Sequence, residues 1–231
     1  MSDVLRVLSW NVRDMLGDPW AVRRVLLAAR PDVVCLQEAP RLVAPRRQLV
    51  VVARRAGLTF VAGGRRGAGT AVLVGPRTLV HGAAANRLPV RGWRTRPRGC
   101  VRALVSLPGT APVAVTCLHL GLDERERARH VELLLAAQPA PGGPPVVLAG
   151  ALNERPDGAS WRSLAARAVD PAPAGPPPFR SVRPRHRIDA VLVDPVLTTA
   201  SYGYPDGVDE ADVVAGSDHR PVLAELVLPR A

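Results

Sequence analysis

Short apolar runs and alternating apolar and polar positions recur along the whole chain, which is the pattern of β-strands. The pattern predicts strands over residues 4–12, 33–37, 59–62 and 70–74, a weak one near Leu79, and further strands over 101–107, 113–118, 146–149, 188–193, 198–202 and 222–228. Turn-forming residues separate many of these runs, as at Gly17-Asp18-Pro19. The chain is therefore expected to be rich in strands.

Helical spacing of apolar residues interrupts the strands in four places. It predicts helices over residues 20–30, 46–56, 123–137 and 159–168. In the third helix we expect Val131, Leu134 and Leu135 to face inward. Strands with helices between some of them predict a mixed α/β (α+β) architecture. Since the Pro-rich segment at 171–178 is too short for a domain linker, residues 1–231 are expected to form a single domain.

The composition is that of a globular protein and excludes a wholly disordered chain, because 47% of the 231 residues are apolar and 22% are charged. The net charge is +11, and all 31 basic residues are arginine. A basic surface favours phosphate-bearing partners. However, arginine without lysine, together with abundant Ala, Gly and Pro, is typical of a high-GC genome, which weakens any argument from the charge alone.

The three cysteines, Cys35, Cys100 and Cys117, form no Cys-x-x-Cys pair, and each lies in an apolar strand-like run. This arrangement predicts reduced core thiols. The chain opens on a strand pattern rather than on a basic region followed by a long apolar segment, so we expect no signal peptide, and no apolar stretch is long enough to span a bilayer. We therefore expect a soluble cytoplasmic protein with no integral membrane segment.

A polar residue able to bind a metal ion or a phosphate stands at the end of several apolar runs and, at Asp189, at the start of one. These residues are Asn11, Glu38, His119, Asn153, Asp189, and the adjacent pair Asp218 and His219. Each alone has an ordinary explanation, as a turn residue, a solvated acid or a core histidine. Their recurrence indicates one site built on strand ends. The oxygen ligands among them, Glu38, Asp218 and Asn11, suit Mg²⁺ or Mn²⁺.

The ordered set Ser-Trp-Asn-Val, Leu-Gln-Glu, His-Leu, Gly-x-x-Asn, Ile-Asp and Ser-Asp-His-Arg-Pro-Val resembles the endonuclease/exonuclease/phosphatase superfamily. This group includes deoxyribonucleases, abasic-site endonucleases, sphingomyelinases and inositol-polyphosphate phosphatases. The resemblance runs from Val7 to Leu228. It implies two stacked, mainly antiparallel β-sheets flanked by helices, a four-layer sandwich. It also implies divalent-metal-dependent hydrolysis of a phosphoester, of the phosphodiesterase or nuclease type.

The resemblance further implies a role for each of these residues. Glu38 would ligate the metal, with Asn11 and Asp218 close to it and Asn11 near the phosphate. His219 would hydrogen-bond the scissile phosphate, and Asp189 would set its tautomer. His119 would donate a proton or contact the phosphate. Asn153 would orient the phosphate or the attacking water.

Ala151 departs from the pattern of the superfamily, whose motif is Gly-Asp-x-Asn where this chain reads Gly150-Ala151-Leu152-Asn153. The missing aspartate orients or deprotonates the water, or helps to bind a second metal, and a methyl group can do neither. Three explanations compete: an engineered inactive variant, a natural enzyme with weakened or altered chemistry, and a pseudoenzyme that binds phosphate or nucleic acid without cleaving it. Because the other motif residues are present, the first two are favoured.

Two groups of arginines are candidate phosphate contacts. The first comprises Arg87, Arg91, Arg94, Arg96, Arg98 and Arg102, and the second comprises Arg180, Arg183, Arg185 and Arg187. We interpret the first group as a solvated loop. For the second, which leads into Asp189, we predict a phosphate clamp that includes Arg185 and Arg187. Nucleic acid, a phospholipid headgroup and a small phosphoester all remain open as substrates.

Overall fold

The structure is a computed structural model, and it describes residues 3–40, 45–92 and 95–231. Its strands are β1 (Val4–Asn11), β2 (Val33–Gln37), β3 (Thr59–Gly63), β4 (Ala71–Val74), β5 (Leu79–Leu88), β6 (Arg98–Ser106), β7 (Val113–His119), β8 (Val146–Ala151), β9 (Asp189–Val193), β10 (Thr198–Gly203) and β11 (Val222–Val227). Its helices are α1 (Pro19–Ala29), α2 (Pro45–Arg55), α3 (Glu124–Ala136), α4 (Ala159–Ala165) and α5 (Glu210–Gly216).

The strands form two sheets with one parallel pair in each. The first sheet has the order β10-β11-β1-β2-β4-β3, and the second has the order β5-β6-β7-β8-β9. Strand β1 runs parallel to β2 in the first sheet, and β7 runs parallel to β8 in the second. The remaining described pairs are antiparallel. The prediction of two mainly antiparallel sheets is therefore confirmed.

Three apolar clusters hold the layers together. The central one lies between the two sheets and includes Val7, Cys35, Val115 and Cys117. A second packs α1, α2 and α5 on the outer face of the first sheet, and a third packs α3 and α4 on the outer face of the second. The result is a helix–sheet–sheet–helix sandwich, in agreement with the expected four layers.

The structure differs from the sequence-based expectations at a few elements. Helix α5 was not expected, because among its residues only Val213 and Gly216 are buried, which leaves little apolar periodicity. Strand β5 is ten residues long although it is almost wholly exposed, since it is held by pairing with β6 rather than by burial. In α3, Leu135 is half-buried while Val131 and Leu134 are buried as predicted.

The cysteines behave as predicted, because Cys35, Cys100 and Cys117 are buried and unpaired. Within the described ranges, no helix has both the length and the apolar character needed to cross a membrane.

Candidate active site

The strand pairing brings the predicted site residues to one edge of the sandwich. In the first sheet, Asn11 ends β1 opposite Gln37 of the parallel strand β2, so the next residue, Glu38, lies beside it. In the second sheet, His119 of β7 pairs with Ala151 of β8, which pairs with Asp189 of β9. Directly paired residues point to the same face. The strand ends therefore meet as the sequence predicted.

His219 and Asp189 form a buried pair. His219 Nδ1 lies 2.7 Å from Asp189 Oδ2, and the two side chains are 9% and 3% exposed. The Trp10 indole donates to the His219 carbonyl at 2.8 Å, and the Phe179 ring lies 4.6 Å from the imidazole between ring centres. Because Nδ1 is engaged by the carboxylate, Nε2 is the nitrogen available to a substrate.

The surroundings of His219 stabilise its charged form. Burial by itself lowers the pKa of His219. The negative charge of Asp189 and its hydrogen bond raise the pKa, with smaller contributions from Asp218 and Glu38, and the net direction is upward from 6.5. His219 can therefore present a positive charge to a phosphate at near-neutral pH.

Glu38 faces the same space from the first sheet. The Asn11 amide donates to Glu38 Oε1 at 3.3 Å, and His119 Nε2 lies 4.0 Å from the same oxygen. Glu38 has a φ of 49°, a left-handed conformation that non-glycine residues seldom adopt. A strained backbone at the end of a strand is consistent with a side chain that is aimed for function.

Two arginines of the first group are part of the site, so the interpretation of that group as a solvated loop is wrong for them. Arg96 bridges the carboxylates of Glu38 and Asp14. Arg98 is buried, and its Nη1 lies 3.1 Å from His119 Nδ1. The same Nη1 lies 2.5 Å from His119 Nε2, and since a guanidinium only donates, one of the two ring nitrogens accepts. Arg94 of the same group lies outside the described residues.

The residues around Glu38 fit a hard divalent cation only if water supplies several of its ligands. The guanidinium of Arg96 is a positive group already held between two carboxylates, Glu38 and Asp14, which marks a place for a cation. In the described ranges, no three His, Cys, Asp or Glu side chains group tightly enough to hold a metal ion. Mg²⁺ needs no such cage, because it commonly keeps several waters and binds through one or two carboxylates.

Asp218 and Asn153 lie at the rim of this space. The Asp218 side chain is 40% exposed, and its Oδ2 lies 4.0 Å from Arg13 Nε. The Asn153 amide donates to the Leu120 carbonyl at 2.8 Å, which ties it to the end of β7. Neither contact involves Glu38, so a shared metal site with Asp218 stays a prediction.

Ala151 is completely buried between His119 and Asp189 in the strand pairing. Asp189 Oδ1 is also buried and has no hydrogen-bond partner among the described residues. The preceding Gly150 is required, since a Cβ there would lie 1.9 Å from the Leu118 carbonyl oxygen. A methyl group thus occupies the position between the two polar side chains.

Glu154 does not replace the missing carboxylate. Its Oε1 accepts from Arg127 Nη2 at 3.1 Å, and its Oε2 accepts from the backbone of Trp161 at 2.9 Å. It therefore braces the start of α4. Asp157, the other nearby acid, is exposed.

The second arginine group is placed differently from the predicted clamp. Arg187 is 9% exposed, forms an ion pair with Asp170, and lies 5.1 Å and 5.9 Å from the ring centres of Trp161 and Tyr202. These contacts make it a structural residue, which argues against a phosphate contact. Arg185 is exposed, and its phosphate-binding role stays a prediction.

A family model described as Endonuclease/Exonuclease/phosphatase family matches residues 8–219, which include every site residue described above. The chain belongs to this family. Membership makes it a phosphoester hydrolase by type. No curated protein matches the sequence.

Solved structures of the family share the fold at low sequence identity. An endonuclease/exonuclease/phosphatase family protein from Bacteroides thetaiotaomicron is 21% identical, with a TM-score of 0.76 and coverage of 97% of this chain and 98% of that one. A mannosyl-6-phosphatase from the same organism has the same identity and TM-score, with coverage of 97% and 100%. TDP2 from D. rerio, complexed with a single-strand DNA product, is 21% identical, with a TM-score of 0.74 and coverage of 96% and 98%.

Proposed function

We propose that the chain is a divalent-metal-dependent phosphodiesterase whose activity is reduced by Ala151. The observation that carries the proposal is the buried His219–Asp189 pair, at 2.7 Å, on the same strand-end edge as Glu38 and His119. A phosphoryl group that is being hydrolysed accumulates negative charge, and the site offers cationic groups to receive it.

Each residue then has a defined task. His219 donates from Nε2 to a phosphoryl oxygen, while Asp189 holds its tautomer and supports its charge. Arg98 fixes the orientation of His119, which faces the same space. Glu38, with Asn11 and Asp218, would hold Mg²⁺ or Mn²⁺, which supplies charge neutralisation at the phosphoryl oxygens when bound. Asn153 holds the end of β7 and orients water or phosphate.

Ala151 limits the rate in this proposal. The position lies beside both His119 and Asp189, where a carboxylate would orient or deprotonate the attacking water. Loss of a positioned base costs roughly 10²–10⁴-fold in rate. The remaining groups still bind and polarise the phosphoester, so weak hydrolysis is expected.

A second candidate is a non-catalytic module that binds phosphate or nucleic acid. It is favoured by two observations: a methyl group stands at the position of the base, and Glu38 is already neutralised by Arg96. In this case the His219–Asp189 pair would serve as an anion site alone.

The names of two structural relatives suggest which substrates to test. By its name, the Bacteroides thetaiotaomicron relative is a phosphatase for mannosyl-6-phosphate, and TDP2 from D. rerio is described with a single-strand DNA product. We therefore propose to test monoesters and diesters side by side. The buried, unpaired thiols of Cys35, Cys100 and Cys117 support a reducing, cytoplasmic location for this activity.

Hydrolysis assays on the unaltered chain and on Ala151→Asp test the proposal. The substrates are bis(p-nitrophenyl) phosphate, p-nitrophenyl phosphate and plasmid DNA, each with Mn²⁺, Mg²⁺ or EDTA. We expect slow, metal-dependent cleavage of the diester that His219→Ala abolishes. If neither protein cleaves any phosphoester, the hydrolase proposal fails, and binding of inorganic phosphate that His219→Ala removes would then favour the non-catalytic module.

A further inference from the structure

A groove of about 780 Å³ lies between the open edges of the two sheets, where β3 ends the first sheet and β5 ends the second. Four arginines line it: Arg46, Arg65, Arg66 and Arg87. No acidic residue is among its described lining. The groove is therefore strongly positive and lies outside the site described above.

These four arginines are exposed and, across the described ranges, form no ion pair with a carboxylate. Some other arginines of the chain are neutralised, as Arg77 is by Asp32 and Arg187 by Asp170. A set of cations without carboxylate partners in a single groove offers contacts to a polyanion.

The sheet register connects the groove to the active site. Arg87 pairs with Gly99 in β6, and Gly99 pairs with His119 in β7. Paired residues point to the same face, so Arg87 lies in the same row as His119, two strands away and roughly 10 Å across the sheet. Arg87 and His119 therefore lie on the same face of the second sheet, on either side of Gly99.

The turn between β3 and β4 lies between the groove and the active site. The backbone N–H of Ala39, the residue after Glu38, donates to the Gly69 carbonyl at 2.7 Å. The turn also packs against β6 so closely that a Cβ on Gly99 would lie 2.3 Å from the Gly67 carbonyl oxygen. Arg65 and Arg66 are therefore carried on a turn that contacts both halves of the site.

An aromatic ring in the groove selects among polyanions. Phe60 is half-buried in the groove wall, and the Arg46 guanidinium lies 5.9 Å from its ring centre. Proteins that bind single strands combine a positive groove along the backbone with aromatic faces on which bases stack.

We infer that this groove binds the phosphate backbone of a single-stranded nucleic acid beside the active site. The inference rests on the proposed phosphodiesterase function and names its substrate class. An ordinary alternative is that the arginines protect the open sheet edges from pairing with other chains. The two explanations differ in whether the arginines change binding of nucleic acid.

The test measures binding of a fluorescein-labelled single-stranded oligothymidylate by anisotropy, in EDTA and over a range of salt concentrations. The groove variant is Arg65→Gln/Arg66→Gln/Arg87→Gln. Its matched control is Arg30→Gln/Arg125→Gln/Arg162→Gln, which removes three exposed arginines that lie outside the groove lining and form no ion pair with a described carboxylate. We expect the groove variant to lose at least about tenfold in affinity, and the slope of log K against log salt to fall by roughly 2. The control should lose less than about twofold.

Equal losses in the two triple variants, unchanged binding in the groove variant, or tighter binding of a duplex of the same length would each overturn the inference. Because EDTA removes the metal, this result is independent of hydrolysis. Activity on bis(p-nitrophenyl) phosphate separates the two proposals. If both proposals are right, the groove variant should still hydrolyse this diester. If no protein hydrolyses it but the groove still binds the oligonucleotide, the proposed function alone is wrong.

Discussion

The two sides of the candidate site differ in how completely they are built. On the second-sheet side, His219 and Asp189 are buried, directly hydrogen-bonded and braced by Trp10 and Phe179. On the first-sheet side, Glu38 faces the space between the sheets but is engaged by Arg96 rather than by further carboxylates. The anion-binding side is therefore ready to act, whereas the cation-binding side must first release an arginine.

This difference shows what the loss of one carboxylate does to such a site. Ala151 lies in the second sheet, and the group it lacks would add negative charge next to His119 and Asp189. Without this carboxylate, the charge of the site is more positive, which favours binding of a phosphate over its hydrolysis. Three changes test this charge distribution: one restores the carboxylate at position 151, one weakens the His219–Asp189 pair, and one frees Glu38 from Arg96.

The largest effect is expected from Ala151→Asp. The new carboxylate would stand between His119 and Asp189, and we expect kcat on bis(p-nitrophenyl) phosphate with Mn²⁺ to rise by roughly 10²–10⁴-fold. Ala151→Asn is the matched control, since it has nearly the same shape without the charge or basicity, and it should give no gain. A folded Ala151→Asp protein that is no faster than Ala151→Asn would show that this position does not limit the rate.

The next largest effect is expected from Asp189→Asn, which weakens the histidine pair. The raised pKa of His219 means that the folded state binds a proton more tightly than the unfolded state. The stability gained in this way is fully present below about pH 6.5, the unfolded value, and is lost as the pH rises through the folded pKa. The variant should lose roughly 1.5–3 kcal/mol below pH 6.5 and should lack this pH-dependent decline.

Urea unfolding of the two proteins between pH 5 and about pH 9 checks this prediction. His219→Gln is the control, because it removes the titrating group and should flatten the same part of the profile. Parallel stability profiles for the wild-type chain and Asp189→Asn would show that the pair does not favour the charged imidazole.

Much of the fold and of the site could be predicted from sequence, because the signals that predict them are local. Strand periodicity is local, and the polar residues Asn11, Glu38 and His119 each end a buried run. Once two parallel pairs place strand ends at one edge, these residues meet. Helix α5 was missed, because a two-turn helix with few buried residues carries little periodic signal.

The roles of the arginines could not be predicted, because they depend on partners distant in sequence. Arg96 reaches Glu38 across 58 positions, and Arg187 turns to Asp170 although it is only two residues from Asp189. Clustering along the chain suggested a phosphate clamp at Arg187 and a solvated loop at Arg96, whereas Arg187 is buried against Asp170 and Arg96 joins two carboxylates of the site. Because all 31 basic residues are arginine, the residue type does not distinguish a site arginine from an arginine elsewhere on the surface.

The smallest effect is expected from Arg96→Ala, which frees Glu38 for a metal. The Arg96 side chain is 38% exposed, so its ion pairs are partly screened and their loss should raise Mn²⁺ affinity by only about fivefold. Titration calorimetry measures this directly, with Glu38→Ala expected to lower the affinity. Arg91→Ala is the matched control, since it removes an exposed positive charge on the same segment. If Arg91→Ala raises the affinity as much as Arg96→Ala does, the gain reflects net charge alone, and Arg96 does not compete with a metal for Glu38.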